Sequence, residues 1–168
     1  MMRRNAFITL LFALAVTMTL SSCHGDSGDG VMERPDYTSI DYKLALSPEM
    51  LKFYDIQAIY TSISEEEKTV EITNETWRVT EKVEGYRNID FKLKVIATVK
   101  TQEPRLDEKV DEYALTCEYS AEYYTKPTSA KRMAQETLNK KLKKTAVAAY
   151  LTEHPVITLV NYQKNNTP

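Results

Sequence analysis

From Thr38 onward the chain alternates. Ile40, Tyr42, Leu44 and Leu46 are interleaved with Ser39, Asp41, Lys43 and Ala45, the period of a half-buried β-strand. Ser47-Pro48-Glu49 then supplies an N-cap, a proline suited to the first helical position and a first-turn acid, which predicts a short helical turn through about Lys52. Phe53 to Ile63 is rich in aromatic and β-branched residues and reads as a strand. Its apolar residues fall on both faces, Ile56, Ala58 and Tyr60 against Ile59 and Ile63, which suits a central strand or a bulge. The acidic turn Glu65-Glu66-Glu67 leads into Lys68–Thr73, where Val70 and Ile72 alternate with Thr69, Glu71 and Thr73. A further strand is expected over Trp77–Val83, with Gly85 supplying the turn beyond it.

Two later segments alternate most strictly. Phe91, Leu93, Val95, Ala97 and Val99 form one apolar row, and Tyr113, Leu115, Cys117, Tyr119, Ala121 and Tyr123 form another. The wet face of the first carries Lys92, Lys94 and Lys100, that of the second Glu118 and Glu122. Opposite charges across neighbouring strands stabilise by about 0.2–1 kcal/mol per pair, so the two segments are expected to pair as a hairpin around Pro104–Glu108. After Lys126-Pro127-Thr128-Ser129, the residues Ala130, Met133, Ala134, Leu138, Leu142, Ala146 and Ala149 recur at three- and four-residue steps. That spacing predicts a helix over Ala130–Leu151, stopping before Pro155. A final strand is expected over Val156–Tyr162, and Asn165–Pro168 should fray. The pattern as a whole predicts one α+β domain: an antiparallel sheet of five or six strands with one long C-terminal helix packed on one face. The alternative is a β-sandwich with a terminal helix, its clue being the two-faced stretch Phe53–Ile63.

The first residues change the picture from fold to address. Arg3 and Arg4 precede a mostly apolar run from Ala6 to Leu20, the n- and h-regions of a secretory signal. The run is about 15 residues long, short of the roughly 20 needed for a bilayer-spanning helix. It ends in Leu20-Ser21-Ser22-Cys23, which resembles the lipobox of bacterial lipoproteins. The resemblance implies cleavage between Ser22 and Cys23 and acylation of Cys23. Several acyl chains, each buried methylene giving about 0.8 kcal/mol, make such an anchor effectively permanent. His24 stands where an aspartate would favour inner-membrane retention in enterobacteria-like sorting, which leaves the outer membrane as the implied destination. The rival is an ordinary secretory signal with a chance cysteine. Residues 1–22 are thus expected to be a signal peptide, 23–36 a Gly/Ser/Asp-rich tether, 37–164 a single domain and 165–168 a tail.

Charge and chemistry mostly exclude. Of 22 basic and 24 acidic residues, removal of the first 22 positions takes only Arg3 and Arg4, leaving a formal charge of −4 and no case for nucleic-acid binding. The two histidines are His24, in the tether, and His154, beside Pro155; neither joins a cluster with metal-ligand spacing. With Gly85 alone outside the tether, a glycine-rich phosphate cradle is excluded. Glu118 and Glu122 read as a solvated strand face rather than an acid–base pair. The sequence therefore implies no catalytic residue, no cofactor and no metal. Cys117, in register with Leu115 and Tyr119, reads as a core hydrophobe; a Cys23–Cys117 disulfide would require the lipobox reading to be wrong. Lys131, Arg132, Lys140, Lys141, Lys143 and Lys144 read as the solvated face of the expected helix, with contact to phospholipid as the sharper alternative. Eleven tyrosines invite an aromatic platform for a ligand, for which Tyr54, Tyr86 and Tyr124 are the candidates. The expected partners are the membrane, through the anchor, and an envelope protein or polymer. A binding module, an assembly accessory and a small enzyme are the function classes in play, in that order.

Overall fold

The computed structural model describes residues 36–102, 105–125 and 129–164, the side chains of 129–134 excepted. All lie in the second of the chain's two units, Arg34–Pro168. The signal, Cys23 and the tether as far as residue 35 lie outside the described residues, as does the tail 165–168.

Eight strands build two antiparallel four-stranded sheets. Sheet A contains β1 (Tyr37–Leu46), β4 (Thr76–Glu84), β6 (Glu112–Thr125) and β7 (Ser129–Lys143), in the order β4-β1-β6-β7. Sheet B contains β2 (Tyr54–Thr61), β3 (Glu67–Ile72), β5 (Phe91–Val99) and β8 (Val156–Lys164), in the order β3-β2-β5-β8. Two short helices, α1 (Pro48–Phe53) and α2 (Val147–Glu153), sit on connections between the sheets. The local chemistry of α1 follows the sequence: the Ser47 hydroxyl accepts from the Met50 amide, and Pro48 opens the helix. Gly85 turns the chain at φ +84, a conformation that favours glycine, and donates its amide to the Asp36 carbonyl at 2.8 Å.

A single sheet carrying a long C-terminal helix is therefore ruled out, and with it the terminal helix of the sandwich alternative. The segment expected to be that helix is β7, followed by a 3-10 turn at Lys144–Ala146 and the seven-residue α2. The reason lies in the spacing. Leu138 and Leu142 are four apart, a step that nearly closes a helical turn and also returns to the same face of a strand. What separates the two is tertiary: β6 is fourteen residues long, and its second edge needs a hydrogen-bonding partner. β7 supplies it, with Leu142 opposite Tyr113 and Leu138 opposite Cys117. True helical spacing appears only in α2, where Val147 and Leu151 are buried at i and i+4.

The hairpin expected from β5 and β6 is corrected as well. β5 pairs with β2 and β8, while β6 pairs with β1 and β7. Alternation told correctly which residues face inward, but not which strand lies alongside. The two apolar rows meet across the core instead, with the Phe91 and Tyr123 ring centroids 5.6 Å apart. Lys92 of β5 finds its acid within sheet B, pairing with Glu67 of β3, and Glu112 of β6 lies 3.8 Å from Lys141 of β7. The stretch Phe53–Ile63 forms a central strand, β2 lying between β3 and β5: Tyr54, Ile56, Ala58 and Tyr60 are buried, Ile59 falls on the other face, and Phe53 belongs to α1.

One core lies between the sheets, and much of it is aromatic. Tyr42 of β1 stacks on Phe91 of β5 at 4.9 Å and meets Tyr60 of β2 at 5.5 Å. Trp77 of β4 touches Tyr60, and Tyr119 of β6 faces Tyr162 of β8. The hydroxyls of these long side chains reach the rim and tie down connections. Tyr42 donates to the Thr61 carbonyl, Tyr54 to that of His154 and Tyr123 to that of Arg87, while Tyr113 accepts from the Asp107 amide. Among the described residues no buried side-chain nitrogen or oxygen lacks a partner.

Candidate functional site

The outer face of sheet A is where accessible chemistry gathers. Because alternate residues of a strand point to opposite faces, the outward set is fixed by the core: Tyr37, Ser39, Asp41, Lys43 and Ala45 on β1; Thr76, Arg78, Thr80 and Lys82 on β4; Glu118, Ser120, Glu122 and Tyr124 on β6. Pairing then brings these together across strands. Asp41 sits opposite Thr80 and Glu122, Lys43 opposite Arg78 and Ser120, and Ala45 opposite Thr76 and Glu118.

Asp41 is the electrostatic centre of that face. Arg78 donates to it through Nε at 2.8 Å and Nη2 at 3.2 Å, Thr80 donates at 2.7 Å, and Lys43 lies at 3.2 Å. Partial burial works against the carboxylate charge, but the hydrogen bonds from Arg78, Thr80 and Lys43 outweigh it and hold the pKa at about 2. Next to this network lies a cleft of about 470 Å³, lined by Lys43, Ala45, Thr76, Arg78, Glu118 and Ser120, with the strands themselves beneath at Leu44, Trp77 and Tyr119. Two small residues, Ala45 and Ser120, stand between long charged ones, and that difference in length makes the hollow. One corner is cationic. The other holds Glu118, for which no hydrogen bond or ion pair forms among the described residues, and which sits directly opposite Glu136 on β7. Like charges facing each other across strands are destabilising.

Toward the end where the chain enters β1, the same face carries aromatics. Tyr37 and Tyr124 pack at 4.7 Å, and the Lys82 ammonium lies 4.0 Å from the Tyr37 ring centroid. The Tyr86 side chain, 53% exposed, projects from the turn after Gly85. Thr38 holds that turn from inside the fold: its hydroxyl donates to the Gly85 carbonyl and accepts from the Arg87 amide.

The three tyrosine candidates therefore separate. Tyr54 is removed from the set, being 1% exposed, with burial pushing its hydroxyl up to about 12. Tyr124 is half-buried beneath Tyr37, and Tyr86 is open. Cys117 is a free, fully buried thiol whose pKa burial raises. His154 ends α2, with its ring stacked on Tyr150 at 4.2 Å and Nδ1 3.0 Å from the Tyr150 carbonyl; it does not line the cleft. The basic helix face dissolves with the helix. Lys144 donates to the Asp107 carbonyl and Lys140 lies over Tyr150, while the side chains of Lys131 and Arg132 are outside the described set. Among the described residues no group of three or more His, Cys, Asp or Glu is placed to hold a metal ion. The cleft itself escaped sequence reading because it depends on which strands are neighbours; its only trace was the small residues Ala45 and Ser120 amid charges. No family model, curated protein or solved structure matches the chain.

Proposed function

We propose that the chain is a cell-envelope lipoprotein, held at the outer membrane through Cys23, whose sandwich is a non-catalytic binding module for a protein or polymer. The anchor rests on Leu20-Ser21-Ser22-Cys23 and on His24 after it. The module rests on one observation, the cleft built across β4, β1 and β6. Three hydrogen-bonded strands fix the backbone beneath it in advance, so binding carries the ordering cost of the lining side chains but none for the floor. The charged groups there suit recognition rather than turnover: Asp41 is committed to Arg78, Thr80 and Lys43. An assembly role keeps a single observation in its favour. Ile59, Ile96 and the 58%-exposed Val156 fall on a diagonal across the outer face of sheet B.

The anchor is tested by intact mass and membrane partition of wild type against Cys23→Ala. An acyl-modified mass, with membrane association lost in the variant, is expected; an unmodified, soluble wild type overturns it. The module is tested by a photo-crosslinking residue placed at Ala45 or, on sheet B, at Thr98. Envelope adducts from position 45 and not from position 98 are expected, and the reverse would favour assembly through sheet B.

A further inference from the structure

We infer that the outer edge of sheet B, strand β8, pairs with β8 of a second copy of the chain, antiparallel about a two-fold axis between Leu159 and Val160. The sheet order gives β8 a neighbour in β5 on one side and, among the described residues, no strand on the other. It contains no proline, turns no carboxylate inward and carries a single charge, Lys164, at its last position. The hydrogen bonding to β5 fixes which backbone groups the edge offers. The Val99 amide donates to the Pro155 carbonyl at 2.9 Å, and bonded and non-bonded residues alternate along an antiparallel ladder. Val156 and Thr158 therefore direct their amide and carbonyl groups away from β5. Leu159 is then an extra residue, since Thr158 lies opposite Ile96 and Val160 opposite Val95. The alternation restarts one place later, and Asn161 takes the outward place that Val160 would otherwise hold.

That extra residue makes the strand symmetric. From Val156 to Gln163 the side chains read exposed, half-buried, exposed, buried, buried, exposed, half-buried, exposed, the same from either end. An antiparallel partner runs from the other end, so the row meets its own copy in register. The two-fold sets Thr158 opposite Asn161 of the second copy, Ile157 opposite Tyr162 and Leu159 opposite Val160, polar against polar and apolar against apolar. A slip of one residue sets Thr158 against Val160 and ends the match. Lys164 faces Pro155 of the second copy, so no like charges oppose each other. An unrelated extended peptide would find the same backbone groups but not the side-chain match. The product is one sheet of eight strands, β3-β2-β5-β8 followed by the same four in reverse. The cleft lies in sheet A, so this pairing stands or falls apart from the binding-module reading.

The test is sedimentation equilibrium of the full chain carrying Cys23→Ala, with a concentration-dependent dimer expected. Thr158→Lys together with Asn161→Lys, both at exposed positions, places lysine opposite lysine twice and should weaken the dimer about tenfold or more. Thr158→Glu together with Asn161→Glu should do the same alone. Mixing the two variant chains should restore a mixed dimer, which misfolded chains could not do. Register is read by disulfide formation, since residues directly opposite each other lie within bridging distance. An equal mixture of Thr158→Cys and Asn161→Cys chains should give several-fold more covalent dimer under mild oxidation than either alone. A monomer at every concentration, a dimer indifferent to the lysine pair, no recovery on mixing, or equal covalent dimer from all three samples overturns the inference. Envelope adducts from a photo-crosslinking residue at Thr158, with no copy-to-copy adduct, would also overturn it and assign the edge to a foreign strand. A copy-to-copy adduct has twice the mass of the chain, which separates it from the envelope adducts that test the cleft.

Discussion

Tyrosine does two jobs in this protein, and phenylalanine could do only one. The rings of Tyr42, Tyr54, Tyr113 and Tyr123 fill the core, while their hydroxyls fasten the turn after β2, the end of α2, the β5–β6 connection and the turn after β4. Tyr42→Phe keeps the ring contacts with Phe91 and Tyr60 and loses the bond to the Thr61 carbonyl. Chemical denaturation should register a loss of about 1 kcal/mol. Asp41 makes a different prediction. Its pKa is about 2 in the fold against an ordinary 3.8, so the folded state holds fewer protons than the unfolded chain between those values. The stabilisation is complete above about pH 4 and disappears as pH falls toward 2. Carboxyl titration by NMR should find Asp41 ionised where ordinary aspartates are protonated, and Asp41→Asn should flatten that part of the stability profile.

At the scale of elements, three of the four edge strands are blunted, each differently. β3 is six residues long and charged, and β7 carries irregularities opposite Cys117–Glu118 and Tyr119–Ala121. β4 turns a carboxylate inward: Glu81 lies on the same face as Trp77 and Val79, accepts from the Ile63 amide at 2.8 Å and pairs with Lys68 of β3. That single side chain clasps one sheet to the other. Glu81→Ala should cost about 1–3 kcal/mol in denaturant and speed hydrogen exchange at Ile63, while Glu81→Gln, which retains an acceptor, should cost less. The element scale is also where the sequence was both most and least legible. Alternation in β1, β5 and β6 correctly marked Ile40, Leu93 and Leu115 as inward, and Ser47-Pro48 marked α1, because these depend on neighbours within a few residues. The layer count, the partner of β5 and the conformation of β7 depended on distant chain, and the face that holds the cleft depended on all three. β7 offers a direct check. An edge strand bonded on one side protects alternate amides, whereas a helix protects a continuous run. Exchange measured by NMR over residues 135–143 should therefore alternate between slow and fast.

For the molecule as a whole, the neutral tyrosines of the core set the alkaline limit. Burial raises the pKa of Tyr42, Tyr54, Tyr60 and Tyr123 above the ordinary 10.0, to about 12 for Tyr54. Above pH 10 the unfolded chain loses these protons while the folded one keeps them, so stability is complete below pH 10 and falls as pH rises toward 12. Unfolding followed at Trp77, the only tryptophan, should show a falling midpoint across that interval and little change between pH 7 and 9. The order in which the strands are laid down carries a consequence of another kind. β5 occupies the middle of sheet B, yet one of its two neighbours is β8, the last of the described strands along the chain; β1 begins sheet A but waits for β6. Each layer is completed late: residues 54–99 supply three strands of sheet B but its fourth is β8, and sheet A lacks β6 and β7 until residue 112 and beyond. For a chain passed through an export channel, as the proposed address demands, both layers then reach their full width only after the strands of the second half have emerged.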